Sequence, residues 1–269
     1  MIGVSPQQSE SPGSTAMEPT GRTIQRASPS LERPAFYALR PGGWRDLVTL
    51  LHPPYTAWNL ANVAIGAALA PHLYAGRLAA ALAAFFLAVG VGAHVLDELH
   101  GRPLGTHLSS RTIVVLAVVS LTGAAAIGIV GAVTISPTLI PFVLAGVFFV
   151  LAYNLEWFGG RFHTAFWLAV SWGVFPVLTG YWVNALELRP SALLAAGGCA
   201  MLLVAQRSLS TPVRELRRRT VSLTGEQRLA DGSTVPLDAA RLAAPMERAL
   251  QACAVAMVLL ATGLVLARL

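Results

Sequence analysis

From Thr112 to Leu155 the chain runs 44 residues without a charged side chain. As one helix, rising 1.5 Å per residue, this stretch would be about 66 Å long, roughly two hydrocarbon cores of a bilayer. Ser136-Pro137 and Pro141 sit near its middle. The sequence therefore predicts two membrane helices joined by a tight turn. Other charge-free windows continue the pattern: one within Tyr55–Gly76, then Leu78–Leu96, Phe162–Leu186, Pro190–Gln206 and Ala249–Ala267. Together they predict an all-α, polytopic transmembrane bundle of about seven spans, with six or eight as the neighbouring counts. Composition agrees. Only 12% of residues are charged and 55% are hydrophobic, whereas a soluble domain carries about 25% charged residues. An ordinary soluble enzyme and a disordered scaffold are both excluded.

The flanks differ from the spans. Residues 1–34 are rich in Ser, Pro and Gly. They predict a disordered tail with no apolar stretch that would make a signal peptide. Ala35 to Leu51 mixes Phe36, Tyr37, Trp44, Leu47, Leu50 and Leu51 with Arg40, Arg45 and Asp46. It predicts an interfacial helix that ends at His52-Pro53-Pro54, a unit of residues 35–54. The membrane domain is expected over 55–269, with a cytoplasmic loop at 206–248. In that loop Asp231-Gly232 suggests a hairpin, and Pro236-Leu-Asp238 suggests a helix start. Cys199 and Cys253 lie in apolar runs and read as small buried side chains.

All 19 basic residues are arginine, and the sequence pI is near 10.1. In a soluble protein that pI would suggest a nucleic-acid partner. Here the distribution gives it another meaning, and no nucleic-acid partner is expected. With seven spans, 16 arginines fall on the face carrying the N-terminal tail and only Arg77, Arg189 and Arg268 on the other. That excess places the first face in the cytoplasm of a bacterial-type inner membrane, with the C-terminus outside.

Twelve of the thirteen acidic residues share the arginine-rich face. Asp97 and Glu98 stand where the second span meets it, and Glu156 stands at the matching place after the fourth. Both elbows read acid, two residues, glycine, then arginine, with a threonine further on: Glu98 to Thr106 and Glu156 to Thr164. A third elbow, after the sixth span, holds Arg207, Arg214 and Glu215. Acids and arginines above a membrane cavity suit a lipid diphosphate. Carboxylates hold Mg²⁺ against its oxygens, and arginines neutralise the rest.

In its Pro-Pro-Tyr-Thr string at Pro53–Thr56, its His94–Thr106 elbow and the order of its helix pairs, the chain resembles the UbiA superfamily of intramembrane prenyltransferases. The likeness covers roughly Leu51 to Leu269. It implies a prenyl group moved from an isoprenyl diphosphate to an aromatic or lipid-soluble acceptor, with Mg²⁺ as cofactor and the lipid bilayer as the setting. Against the family signature Asn-Asp-x-x-Asp-x-x-x-Asp, the chain has Ala93, His94, Asp97 and Gly101. The second signature, Asp-x-x-x-Asp, is absent, leaving Glu215 among arginines. Members usually have nine spans.

The residues implied are Asp97 and Glu98 as catalytic metal ligands, with Glu156 as a further ligand. Asn59, His94, Arg102, Arg161 and Arg214 would bind substrate. Each has a plainer reading. Asp97 and Glu98 can cap the elbow and pair with Arg102 or Arg111. Glu156 can pair with Arg161, His94 can be an interfacial histidine, and Asn59 and Asn62 can bond helix to helix. A non-catalytic or accessory protein on the same fold, and a cyclase of the same type, stay open as alternatives. The Asp-x-x-Asp-Gly-x-x-Ala-Arg pattern of CDP-alcohol phosphotransferases is missing.

Overall fold

The computed structural model describes residues 33–269, so most of the predicted tail lies outside the described residues. Helix α1 spans Trp44–Leu50 and α2 spans Pro53–Leu69. Then come α3 (Ala75–Leu99), α4 (Ser110–Thr134), α5 (Pro137–Asn154), α6 (Ala165–Ala185), α7 (Pro190–Arg218) and α8 (Ala239–Leu266). Strands β1 (Thr224–Arg228) and β2 (Thr234–Asp238) form an antiparallel hairpin between α7 and α8.

Among the described residues, the six helices α3 to α8 are long and apolar enough to cross a membrane. The chain is a polytopic membrane protein. Helix α2, the first of the seven predicted spans, has 17 residues, about 25 Å against a core of about 30 Å. It is the most enclosed part of the bundle: Asn62, Val63 and Ala67 have no exposed surface. Two glycines allow that enclosure. A Cβ on Gly66 would collide with the Val177 carbonyl, and one on Gly180 with the Val63 carbonyl. The backbones of α2 and α6 therefore touch directly, as small residues permit in membrane interfaces. At the far end of α2, Arg268 donates to Ala70 O at 2.8 Å and Pro71 O at 2.6 Å. That contact seats the C-terminus beside the α2–α3 turn.

Local signals explain the element ends. The 44-residue apolar run breaks at Thr134, and Ser136 Oγ accepts from Thr138 N at 3.3 Å before Pro137 starts α5. Asp238 caps α8, its Oδ1 accepting from Arg241 N at 2.7 Å. The expected hairpin is present, with Gly232 at φ 85° in its turn.

Two expectations change. The predicted helix over 35–51 is only Trp44–Leu50, because Pro41-Gly42-Gly43, with φ of 123° and 57° at the glycines, interrupts it. The connection expected at 206–248 shrinks to 219–238. Helix α7 continues through Pro212 to Arg218 and α8 starts at Ala239. The arginine-rich stretch is a helix that outruns the apolar window.

Both α3 and α6 contain a π-helical segment, at Phe86–Ala93 and Ala169–Val174. Such widened turns change the backbone hydrogen-bond pattern and often mark functional places in membrane helices. Here the Trp172 carbonyl, in the second segment, accepts from Asn59 Nδ2 at 3.3 Å and Asn62 Nδ2 at 3.1 Å.

Candidate functional site: a basic chamber above an apolar cavity

The arginine-rich ends of α2, α3, α5 and α7 meet in one polar chamber. From α7, the charge of Arg214 acts on Tyr37, His52, Tyr55, Asp97 and Tyr153. The charge of Arg218 acts on the first four. Asp97, in the last turn of α3, lies within the fields of Arg218, His163 and Arg214, and its carboxylate carries no hydrogen bond within the described residues. Arginines of the sixth-span elbow thus act electrostatically on Asp97 of the second-span elbow.

Rings line the chamber. His52 stacks on His94 with centroids 4.1 Å apart, and Tyr37 lies 5.3 Å from His52 and 5.6 Å from Tyr55. His52 Nε2 is sealed from solvent without a partner. Burial first, then His94 and the charges of Arg218 and Arg214, holds this imidazole well below its usual pKa, so it stays neutral. Burial likewise pushes the Tyr37 phenol above its usual value. Across the chamber, His163 stacks on Tyr153 at 4.4 Å, and His163 Nδ1 bonds the Tyr153 carbonyl at 3.1 Å. The Tyr153 hydroxyl accepts from Arg207 Nη1 at 3.2 Å.

Below the chamber, between α3, α4, α5 and α6, lies an apolar cavity of about 140 Å³ lined by Ala84, Ala88, Leu121, Gly128, Phe149 and Trp172 among others. Trp172 joins the two spaces, since its ring meets Tyr153 edge-on at 5.9 Å. A second hollow of about 370 Å³ lies between α6 and α7. Leu168, Leu203 and Thr211 help line it, and Arg207 reaches it from α7.

The other residues singled out in the sequence fall elsewhere. Glu98 has no exposed surface. Its Oε1 accepts from Thr106 N at 2.9 Å and Thr106 Oγ1 at 2.8 Å, and its Oε2 accepts from Leu104 N at 3.0 Å. Arg102 is bound within the same loop, to Thr106 O, Leu108 O and Ser110 Oγ at 3.1, 2.6 and 3.1 Å. Glu156 and Arg161 are exposed on the second elbow, and neither side chain has a hydrogen bond within the described residues. They do not form the ion pair that their spacing suggested. His94 bonds the Gly90 carbonyl at 3.2 Å. Asn59 serves as a helix-to-helix bond, with its Oδ1 left buried and without a partner.

Tyr37, His52, Tyr55, Tyr153, His163 and Arg218 belong to the chamber, although nothing in their sequence positions groups them. Their one shared signal is position at the charged ends of predicted spans. Arg217, next to Arg218, instead makes a two-pronged ion pair with Glu247 that ties α7 to α8.

Among the described residues no three His, Cys, Asp or Glu side chains gather where they could hold a metal ion. The fit to Mg²⁺ is therefore narrow. Magnesium sites commonly use one or two carboxylates and complete their shell with substrate phosphates and water. Asp97 suits that arrangement. Glu98, with three donors on its oxygens, and Glu156, outside the chamber, do not. No protein-family profile, curated protein or solved structure matches this chain.

Proposed function

We propose that the chain is an intramembrane prenyltransferase of UbiA type that takes an isoprenyl diphosphate. The observation that carries this reading is the contact of Tyr153 with Trp172, which sets a basic cluster with one unbonded carboxylate beside an apolar cavity. A diphosphate suits the first space and an isoprenoid tail the second. Arg214 and Arg218 neutralise the diphosphate, and Asp97 would hold a Mg²⁺ bound with it, which would supply charge withdrawal from the pyrophosphate. The acceptor's nucleophilic atom bonds to the first carbon of the prenyl chain as that carbon's bond to oxygen breaks, and the acceptor's proton passes to the released pyrophosphate. Pyrophosphate leaves with the electron pair, beside the arginines. The walls around Trp172 keep water from the allylic carbon. In this reading α2 is a seventh crossing, the chamber faces the cytoplasm and the C-terminus lies outside.

A second reading has a specific observation in its favour. Glu98 is fully occupied and the chamber holds a single free carboxylate, which suits a non-catalytic protein that binds the same kind of lipid. Pyrophosphate release from geranyl, farnesyl and geranylgeranyl diphosphates, with a panel of acceptors, separates the two. Asp97→Asn should lower release by about a thousandfold, roughly 4 kcal/mol of transition-state stabilisation, while leaving the folded protein in the membrane. Unchanged release in the variant would remove Asp97 from the mechanism. No release from the wild type would leave the non-catalytic reading.

A further inference from the structure

The segment before the first helix packs over the basic cluster. Arg217 Nη1 donates to Arg33 O at 3.1 Å, and Arg218 Nε donates to Pro34 O at 3.0 Å. Ala35 and Ala38 are buried. Between them the Tyr37 ring fills the gap beside His52 and Tyr55. The segment is hinged at its other end, where Leu39 N donates to Thr49 Oγ1 at 2.9 Å. Helix α1 is fixed in turn, because Asp46 accepts from Gly42 N at 2.9 Å and His107 N at 3.0 Å. The hinge is thus tied to the first elbow, while Arg33 and Pro34 rest on arginines.

The Arg33–Pro34 part is held by an exchangeable bond. A guanidinium bonded to a neutral carbonyl gains more from an anion, because the anion adds charge attraction and can accept two parallel N–H bonds. Arg218 is one of the arginines, with Arg207 and Arg214, that act on the chamber's groups. Beside the apolar packing of Ala35 and Ala38 against Leu50 and Leu96, the segment is therefore held by a contact that an incoming diphosphate competes for. Tyr37 occupies space beside the same arginines.

We propose that Arg33–Leu39 is a strap that closes the chamber, and that a diphosphate opens it by taking Arg218 from the Pro34 carbonyl and displacing Tyr37. This rests on the reading of the chamber as a diphosphate site. Closing lowers the apparent affinity by the fraction of molecules that are open, so a strap closed nine-tenths of the time weakens binding about tenfold.

The test uses the full chain in detergent with inorganic pyrophosphate as the probe. Two readouts are followed: binding by calorimetry, and hydrogen exchange at the Ala38 and Leu39 amides, which bond Ala35 O and Thr49 Oγ1. Pyrophosphate should speed exchange at both amides in the wild type. Tyr37→Ala should tighten pyrophosphate binding about tenfold and exchange fast without ligand. Thr49→Val, which loosens the hinge with little change in shape, should act in the same direction. Binding to the wild type with both amides still protected would overturn the strap and leave the diphosphate site standing. So would weaker binding in both variants. Failure of the wild type and both variants to bind pyrophosphate would overturn the diphosphate site itself, and the strap with it.

Discussion

The first and second elbows share a pattern but not an environment. Each has an acid, a glycine and arginine soon after, and a threonine eight residues beyond the acid. In the first, Glu98 is sealed inside a knot of three donors and Arg102 is tied to three acceptors. In the second, Glu156 and Arg161 stand in the open. The difference lies in where each helix stops. Helix α3 runs to Leu99, so Glu98 is still helical and points back into the bundle. Helix α5 stops at Asn154, so Glu156 falls beyond its end, at φ 51°. The threonines follow suit: Thr106 turns in toward Glu98, while Thr164 caps the start of α6. A repeat in sequence thus becomes a structural clamp at one end and a solvated turn at the other.

The largest expected effect sharpens that contrast. Glu98→Gln puts an amide group where a backbone N–H or a hydroxyl now donates, and removes the charge those bonds favour. We expect a loss of about 3 kcal/mol, or a drop in Tm on the order of 5–10 °C for a chain of this size. Glu156→Gln should stay within about 0.5 kcal/mol. Thermal unfolding in micelles, followed by tryptophan fluorescence, measures both. Equal shifts would mean that the two elbows are alike after all.

The arginines give a smaller version of the same comparison. A lysine ammonium cannot reach Thr106 O, Leu108 O and Ser110 Oγ at once, since it lacks the planar fork. Arg102→Lys should cost about 1–2 kcal/mol, with the loop's positive-φ backbone unchanged in kind. Arg161→Lys should be near neutral on the same melting assay. A destabilising Arg161→Lys would show that the second elbow holds a contact of its own.

How much of this was legible follows from the same physics. The spans were, because a run without charges has few other ways to fold. So were the break at Ser136-Pro137 and the cap at Asp238, which depend on neighbours in sequence. The end of α7 was not. Arg207 to Arg218 has the composition of a loop, yet the helix goes on and turns its arginines toward the chamber, the strap and Glu247. Asp97 was named from its position in a motif, and it faces the chamber. Its neighbour Glu98 carried equal weight in sequence and holds a loop instead. Adjacent residues on a helix point about 100° apart, so a pair of acids can seldom share one task unless the helix ends between them. Tyr37, His52 and His163 lie far apart in the chain and meet only through packing.

The smallest effect concerns pH and the base of the first elbow. His52 stacks on His94, the residue that begins the last turns of α3 toward that elbow. The groups facing it are Tyr37, Tyr55, His94, Arg214 and Arg218. None is an acid that would welcome a proton there. Its folded pKa is lowered well below the unfolded value of about 6.5. Above about pH 6.5 the ring is neutral in both states, and the full stability is present. As pH falls below that value the unfolded chain gains a proton that the folded chain refuses. Stability should then decline by up to about 1.4 kcal/mol per pH unit, until the folded ring itself titrates. His52→Asn tests the source. Asparagine accepts the left-handed backbone at this position, where φ is 45° and ψ is 58°, and it does not titrate. Between pH 7 and pH 5 the Tm of the wild type should fall more steeply than that of the variant. Parallel curves would mean that the ring finds water or an acid when it is protonated, and that this end of the first elbow is no more enclosed than the second.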